Sequence, residues 1–443
     1  MILTARTAAS KKCRPKREIA HQPAAGTPDI RALDGLRGLA VLSVLLYHTL
    51  VVLQVRSFLF GHEVTFAWFY LESGVELFFV LSGFLLFMPY ARAMLRANSL
   101  PSAKEFYRRR ALRILPAYWV CLAILVLVGL PHYLTLDGLQ NVAWHIALLH
   151  DVIPAYNRAI EGPFWTLAVE AQFYLLLPLI AWVIARCVGA TQSVARLVGG
   201  ILALLATALL GRQLNGFAAI WLPTVSGWPH NALEHLLELT YGSQGKYLEV
   251  FAIGMLCAVL YVAGLEGRLP RIEPGRVAVP LMLTALAAYL LLAPRVYERR
   301  NAILAQCTLC MQPGDVESLL GTLGLAVGYG ALLLAVLWGG QYVRWPFELP
   351  ALRAVGLISY SLYLWHEPLA STIIPPLAAL PVPPAGVLAL VTASVVALVA
   401  ATASYWLVER RFLPKRRSQQ RLPTTPPKGR QQTEEMLPQV HVA

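Results

Sequence analysis

The sequence predicts an all-α fold: a polytopic membrane helix bundle of about ten transmembrane helices with both termini cytoplasmic. Three observations predict it. Of 443 residues, 57% are apolar types and only 14% are charged, whereas soluble domains carry about 25% charged residues because their surface faces water. Apolar runs near 20 residues recur along the chain, the length needed to cross a hydrocarbon core of roughly 30 Å. Lys and Arg gather in a few segments that flank these runs, as cytoplasmic loops do.

The balance of charge is uneven. The chain nets +13 with a mean hydropathy of +0.57, yet residues 1–31, 91–113 and 410–443 net +5, +6 and +6 and everything else nets −4. No aromatic-interleaved basic domain accompanies the charge, so nucleic acid is not an expected partner. The lipid bilayer is.

The apolar runs lie near 36–56, 67–90, 111–130, 165–185, 197–211, 246–265, 277–293, 318–339, 354–375 and 385–408, the fifth being short. Lys11, Lys12, Arg14, Lys16 and Arg17 hold the N-terminus inside. The Arg92–Arg113 cluster returns inside after two crossings, and Lys415, Arg416 and Arg417 require an even total. Ten spans meet all three conditions. The expected organisation is a basic cytoplasmic tail over 1–30, a membrane domain over 31–412, and a tail over 413–443 whose Thr-Pro and Gln-Gln stretches read as disordered. The connections 131–164, 212–245 and 294–317 are long enough for surface helices, and Trp144, Trp221 and Trp228 suit the membrane–water interface.

The first apolar run begins near Leu36 behind a long polar lead, so a cleavable signal peptide is not expected. Six cysteines are too scattered for a disulfide framework. Cys307 and Cys310 form one C-x-x-C, read as a local disulfide or two free thiols. No Walker loop, nucleophile elbow or His-Glu-x-x-His is present, and no metal is expected.

Polar residues inside the spans carry the functional signal, since each ionisable side chain costs at least about 2.5–3.5 kcal/mol to insert. In span one Arg37 and His48 stand eleven residues apart, which is close to three helical turns and puts both on one face about 16 Å apart along the axis. Arg37 suits a phosphate or oxyanion at the inner mouth, and His48 can take a proton from a hydroxyl. Headgroup snorkelling and an interhelical hydrogen bond explain the same two residues without chemistry. In span two, Glu76 needs a cation or a proton, while Gly74 and Gly83 allow close helix approach. Arg110 and Arg113 form a fork one turn apart at the entry to span three, able to hold phosphates or simply to anchor the inner face. Glu170 follows Trp165 into span four. Ser359, Tyr363 and His366 share one stripe of span nine, which must face the bundle or a cavity.

Taken together, these residues resemble the acyltransferase-3 family of integral membrane acyltransferases, which includes the O-antigen and peptidoglycan O-acetyltransferases. Arg37 and His48 match its Arg-x10-His pair, Gly74–Phe84 its second-span motif, Arg110-x-x-Arg113 its Arg-x-x-Arg, and Trp165–Pro178 its Trp-Ser-Leu-x-x-Glu block. Ser359–His366 and Glu409 fit its C-terminal motifs. Glu76 stands where the family usually has Asp, and Thr166 where it usually has Ser; both keep the functional group. The fused extracytoplasmic hydrolase-like domain of some members is expected to be missing, which leaves open a relay partner or direct transfer.

The resemblance implies transfer of an acyl group, acetyl first, from cytosolic acyl-CoA to a hydroxyl of a cell-envelope carbohydrate at the bacterial plasma membrane, with no bound cofactor. A glycosylated small molecule such as a macrolide is the alternative acceptor, and a transporter without covalent chemistry the alternative class. His48, Arg37 and Glu170 would form the catalytic set. Arg110, Arg113 and Ser82 would bind the donor, and Trp165, Tyr363 and His366 would shape the acceptor side.

Overall fold

A computed structural model describes residues 30–54, 58–59, 62–63, 69–189, 193–221, 236, 246–270, 273–306, 316–382 and 384–413. The basic N-terminal tail up to 29, Trp228, Cys307, Cys310 and the tail from 414 onward lie outside the described residues.

The helices are α1 (Arg31–Val52), the one-turn α2 (Phe69–Glu72), α3 (Gly74–Leu95), α4 (Ala103–Ile124), α5 (Leu136–Ile146), α6 (Phe164–Val188), α7 (Val194–Trp221), α8 (Leu248–Leu265), α9 (Pro274–Gln306), α10 (Val316–Trp338), α11 (Gly340–Glu348), α12 (Pro350–Leu357), α13 (Ser359–Ala378), α14 (Ala385–Ser404) and α15 (Arg410–Phe412). A two-residue antiparallel hairpin pairs Phe58–Leu59 with His62–Glu63. The described parts of all ten apolar runs are mainly helical. Among the described residues eight helices are long and apolar enough to cross a membrane. The other two are α9, whose apolar part is the shorter Arg276–Leu292, and α13, whose polar stripe lowers its hydropathy. The chain is a multi-pass membrane protein.

Two expectations change. The fifth run, thought short, belongs to a helix that continues to Trp221; Arg212, just past the run, pairs with Glu249 of α8 at 2.6 Å. The seventh likewise extends to Gln306, so the neighbouring connections are partly helix. The connection after α4 holds a 3-10 turn, Pro131–Leu134, and α5.

Local sequence explains the boundaries that matter for the site. Ser102 caps α4 by accepting the Glu105 N–H at 3.5 Å, a Ser-x-x-Glu start that sets the basic segment at the head of the helix. Gly189, at φ +73°, closes α6 in a conformation that a Cβ disfavours. At the C-terminal end α14 passes through a π turn, Tyr405–Glu409.

Packing divides inner from outer helices. α3 and α8 lie side by side and are mostly buried. A Cβ on Gly83 would stand 2.2 Å from the Phe251 carbonyl oxygen, and one on Gly254 2.1 Å from that of Val80. A Cβ on Gly74 would meet the Ala40 oxygen at 2.6 Å. These backbones touch, as expected for Gly74 and Gly83. α14 shows the lipid boundary directly. Ala389, Ala393, Ala397 and Ala401 are buried while Val387, Val391, Val395 and Val399 are exposed, one small stripe packed inward and one branched stripe turned to the hydrocarbon.

Candidate active site

Five helices converge on a cavity of about 650 Å³. Arg37 comes from α1, Ser82 from α3, Arg110 and Arg113 from α4, Thr166, Glu170 and Tyr174 from α6, and Ser359, Tyr360 and Tyr363 from α13. The cavity extends to the start of α4, where Ser102, Glu105 and Arg109 line it. Its volume is that of a small-molecule site, roughly 300–1,000 Å³.

The cationic wall is sorted by its partners. Glu105 holds Arg108 through two hydrogen bonds of 2.9 Å and Arg109 through one of 2.7 Å. Arg110 and Arg113 line the cavity together with Arg109. Arg37 lies within electrostatic reach of Arg113, Asp34, Glu170 and Glu409. The lining thus sets four arginines, Arg37, Arg109, Arg110 and Arg113, against two carboxylates, Glu105 and Glu170, which leaves a net positive site for an anionic ligand.

On the opposite wall Glu170 Oε1 accepts the Ser82 hydroxyl at 2.5 Å and also the hydroxyl of Tyr174. Behind this wall Ser361 donates to Glu409 Oε2 at 3.0 Å, and Tyr360 donates to the Ile114 carbonyl at 2.8 Å, fastening α13 to α4.

The far end of the cavity is Tyr363. Its hydroxyl accepts from Thr166 at 2.6 Å and donates to the Pro163 carbonyl at 3.2 Å. Past it, the Tyr363 ring centroid stands 5.3 Å from that of His366, and His366 Nε2 lies 3.2 Å from His48 Nδ1. Each imidazole also points Nδ1 at a main-chain carbonyl, that of Val44 at 2.9 Å for His48 and that of Tyr363 at 2.8 Å for His366. A carbonyl oxygen only accepts, so a neutral ring carries its proton on Nδ1. His366 Nε2 is then the acceptor for His48 Nδ1–H, and His48 Nε2 keeps a lone pair, assigned from the network.

Arg37, Ser82, Arg110, Arg113, Glu170 and Tyr363 therefore share one cavity. His48 and His366 sit beyond it, joined to each other rather than to Arg37. The one-face spacing of Arg37 and His48 holds along α1, but the axial rise carries His48 past the Tyr363 end. Trp165 packs on Tyr247, ring centroids 5.5 Å apart, away from the cavity. Ser359, Tyr363 and His366 are buried, so the stripe does face the bundle. Sequence reasoning passed over Tyr174, although it stands four residues after Glu170, where helical neighbours meet. It also passed over Glu161 in the connection between α4 and α6 and Glu367 in α13; a lone acid gives no signal of its partner.

That connection also holds two buried histidines. His145 and His150 stack with ring centroids 4.0 Å apart, both fully buried. Burial pulls His145 down to about 4, and burial together with His145 pulls His150 down to about 3. Among the described residues no three His, Cys, Asp or Glu side chains gather as a metal site would need.

Peptidoglycan O-acetyltransferase OatA of Listeria monocytogenes serovar 1/2a is 24% identical over 361 residues, which cover 78% of this chain and 50% of that protein. O-acetyltransferase OatA of Staphylococcus aureus is 28% identical over 159 residues, covering 33% of this chain and 24% of that protein. The chain thus matches half or less of the length of these relatives. No solved structure matches. Residues 30–407 match the family model described as an acyltransferase domain, and with that match over most of its length the chain belongs to the acyltransferase-3 family.

Proposed function

We propose that the protein is a membrane O-acyltransferase that moves an acyl group, acetyl first, from acyl-CoA to a hydroxyl of a cell-envelope carbohydrate. The observation that carries this reading is the cavity: a net positive pocket walled by Arg37, Arg110 and Arg113 that begins at the basic head of α4 and ends at Tyr363, with a histidine pair behind. The names of the relatives support the acceptor class, and the positive-inside clusters support a donor that enters from the cytoplasm.

In this reading Arg110 and Arg113 hold the donor phosphates by charge-assisted hydrogen bonds. Arg37 stands further along and faces the thioester oxygen as it becomes an oxyanion. The acceptor arrives from the opposite side of the membrane and meets the thioester near Tyr363 and Thr166. His48 Nε2 removes the hydroxyl proton, the alkoxide oxygen bonds to the acyl carbon, and the carbon–sulfur bond breaks. The thiolate takes up the proton, so the exchange is neutral overall. Ser82 and Tyr174 hold the Glu170 carboxyl in place opposite the arginines, where it orients them.

The test uses the purified full chain with radiolabelled acetyl-CoA and isolated peptidoglycan strands. Label in the glycan, lost in His48→Ala with the protein still folded, is the expected result. Absence of acetyl-CoA binding by calorimetry would remove the CoA donor, and binding without label in the glycan would remove the acceptor class.

A further inference from the structure

Beyond the histidine pair lies an acid pair that the chemistry above does not use. Glu161 is 6% exposed, and its carboxyl is hydrogen-bonded to Glu367. Its Oε1 is buried and has no hydrogen-bond partner among the described residues. Glu367 follows His366 in α13 and accepts from Ser371 at 3.2 Å. A hydrogen bond between two carboxyls needs a proton on one of them, because carboxylates only accept. Burial, then the hydrogen bond and the charge of Glu367, push Glu161 up to about 11. Cys121 of α4 lies within its electrostatic reach. The charges that act on His48 come from Glu72 at the end of α2, Glu367 of α13 and Arg158 of the connection between α4 and α6.

We propose that Glu161 and Glu367 share one proton and present a single negative charge to the His48–His366 pair, a counter-charge beside that of Glu72 for the imidazolium that forms when His48 takes the acceptor's proton. This rests on the acyl-transfer reading. Glu72 supplies a separate carboxylate and Arg158 an opposing charge, and the shared proton keeps the acid pair from adding a second negative charge of its own. The shared proton stays between the carboxyls throughout; the transferred proton passes from hydroxyl to His48 to the departing thiolate. Glu161 touches no reacting atom and is a positioning residue.

The test needs no turnover. Infrared spectra of the purified full chain at neutral pH should show a protonated-carboxyl stretch that Glu161→Gln removes. The introduced amide donates to the Glu367 anion, so this variant keeps the fold and the His48 titration followed by NMR of labelled histidine. The double variant Glu161→Gln/Glu367→Gln removes the anion and should displace that titration by about one unit. No stretch in the unaltered chain, a stretch that survives Glu161→Gln, or a His48 titration unmoved in the double variant would each overturn the proposal. Failure of the acyl-transfer reading would show separately, as acetyl-CoA that neither binds nor transfers while these signals persist.

Discussion

His48 of α1 and His366 of α13 meet at 3.2 Å, nitrogen to nitrogen, across 318 residues of sequence. Because His366 Nδ1 is committed to the Tyr363 carbonyl, its Nε2 accepts the same His48 Nδ1–H that the Val44 carbonyl accepts, and His48 Nε2 stays basic. Removing a general base costs about 10²–10⁴-fold in rate, and His48→Ala should fall in that range. His366→Ala should cost less, about tenfold, since the base remains and only one of its two orienting acceptors is lost. His366→Gln, whose amide oxygen can accept the His48 proton, should recover part of that loss. Initial rates with acetyl-CoA measure all three, and equal losses for His366→Ala and His366→Gln would remove the orienting role.

The arginines of α4 divide by partner, and donor affinity should divide with them. Arg113 faces the cavity, while Arg108 is exposed and already held by Glu105. A charge-assisted hydrogen bond contributes about 1.5–3 kcal/mol, so Arg113→Ala should weaken acetyl-CoA binding by about 10- to 100-fold at constant salt. Arg108→Ala should leave it within about twofold, as an exposed pair contributes little. Calorimetry on the two variants decides, and equal effects would mean that the whole basic segment acts as a diffuse anchor.

The α3–α8 crossing should tolerate no added atom. Gly83→Ala puts a methyl 2.2 Å from the Phe251 oxygen, a backbone atom that cannot swing away. Overpacking costs about 1–3 kcal/mol or more, and Ser82 is the neighbouring residue, so its bond to Glu170 should shift as well. Gly211→Ala, in α7, meets nothing within 4 Å and should be neutral or slightly stabilising. Detergent-solubilised melting curves should show Gly83→Ala well below the unaltered chain and Gly211→Ala level with it.

These contrasts show what the sequence could carry. Span positions were legible because lipid demands about 20 apolar residues in a row, and the Arg110/Arg113 fork was legible because one turn separates them. Their distinction from Arg108 and Arg109 was legible only in part, through Glu105 three and four residues away. The His48–His366 contact was not legible at all. Helical spacing tells which residues share a face of one helix, never which second helix that face meets. The extended α7 and α9 ends fall in the same category as any boundary without a cap residue. Glu161 was invisible because its environment, a second acid 206 positions later, exists only in the fold.

Stability should peak near neutral pH, through opposing titrations in the connection between α4 and α6. Glu161 is raised to about 11 by burial and Glu367, against about 4.3 when unfolded. The folded state therefore binds the extra proton, and this contribution is full below about pH 4.3 and is lost as pH rises toward 11. His145 and His150 behave in the opposite sense. Burial lowers them to about 4 and about 3, against about 6.5 unfolded, so their contribution is full above about pH 6.5 and is lost as pH falls. Between about 4.3 and 6.5 two histidine protons outweigh one carboxyl proton, and stability climbs with pH; above about 6.5 the carboxyl acts alone and stability declines. Melting temperatures between pH 5 and 9 should trace that dome. Glu161→Gln should flatten its alkaline side and His150→Asn soften its acid side, and an alkaline slope unchanged by Glu161→Gln would show that the buried carboxyl is not the group that titrates.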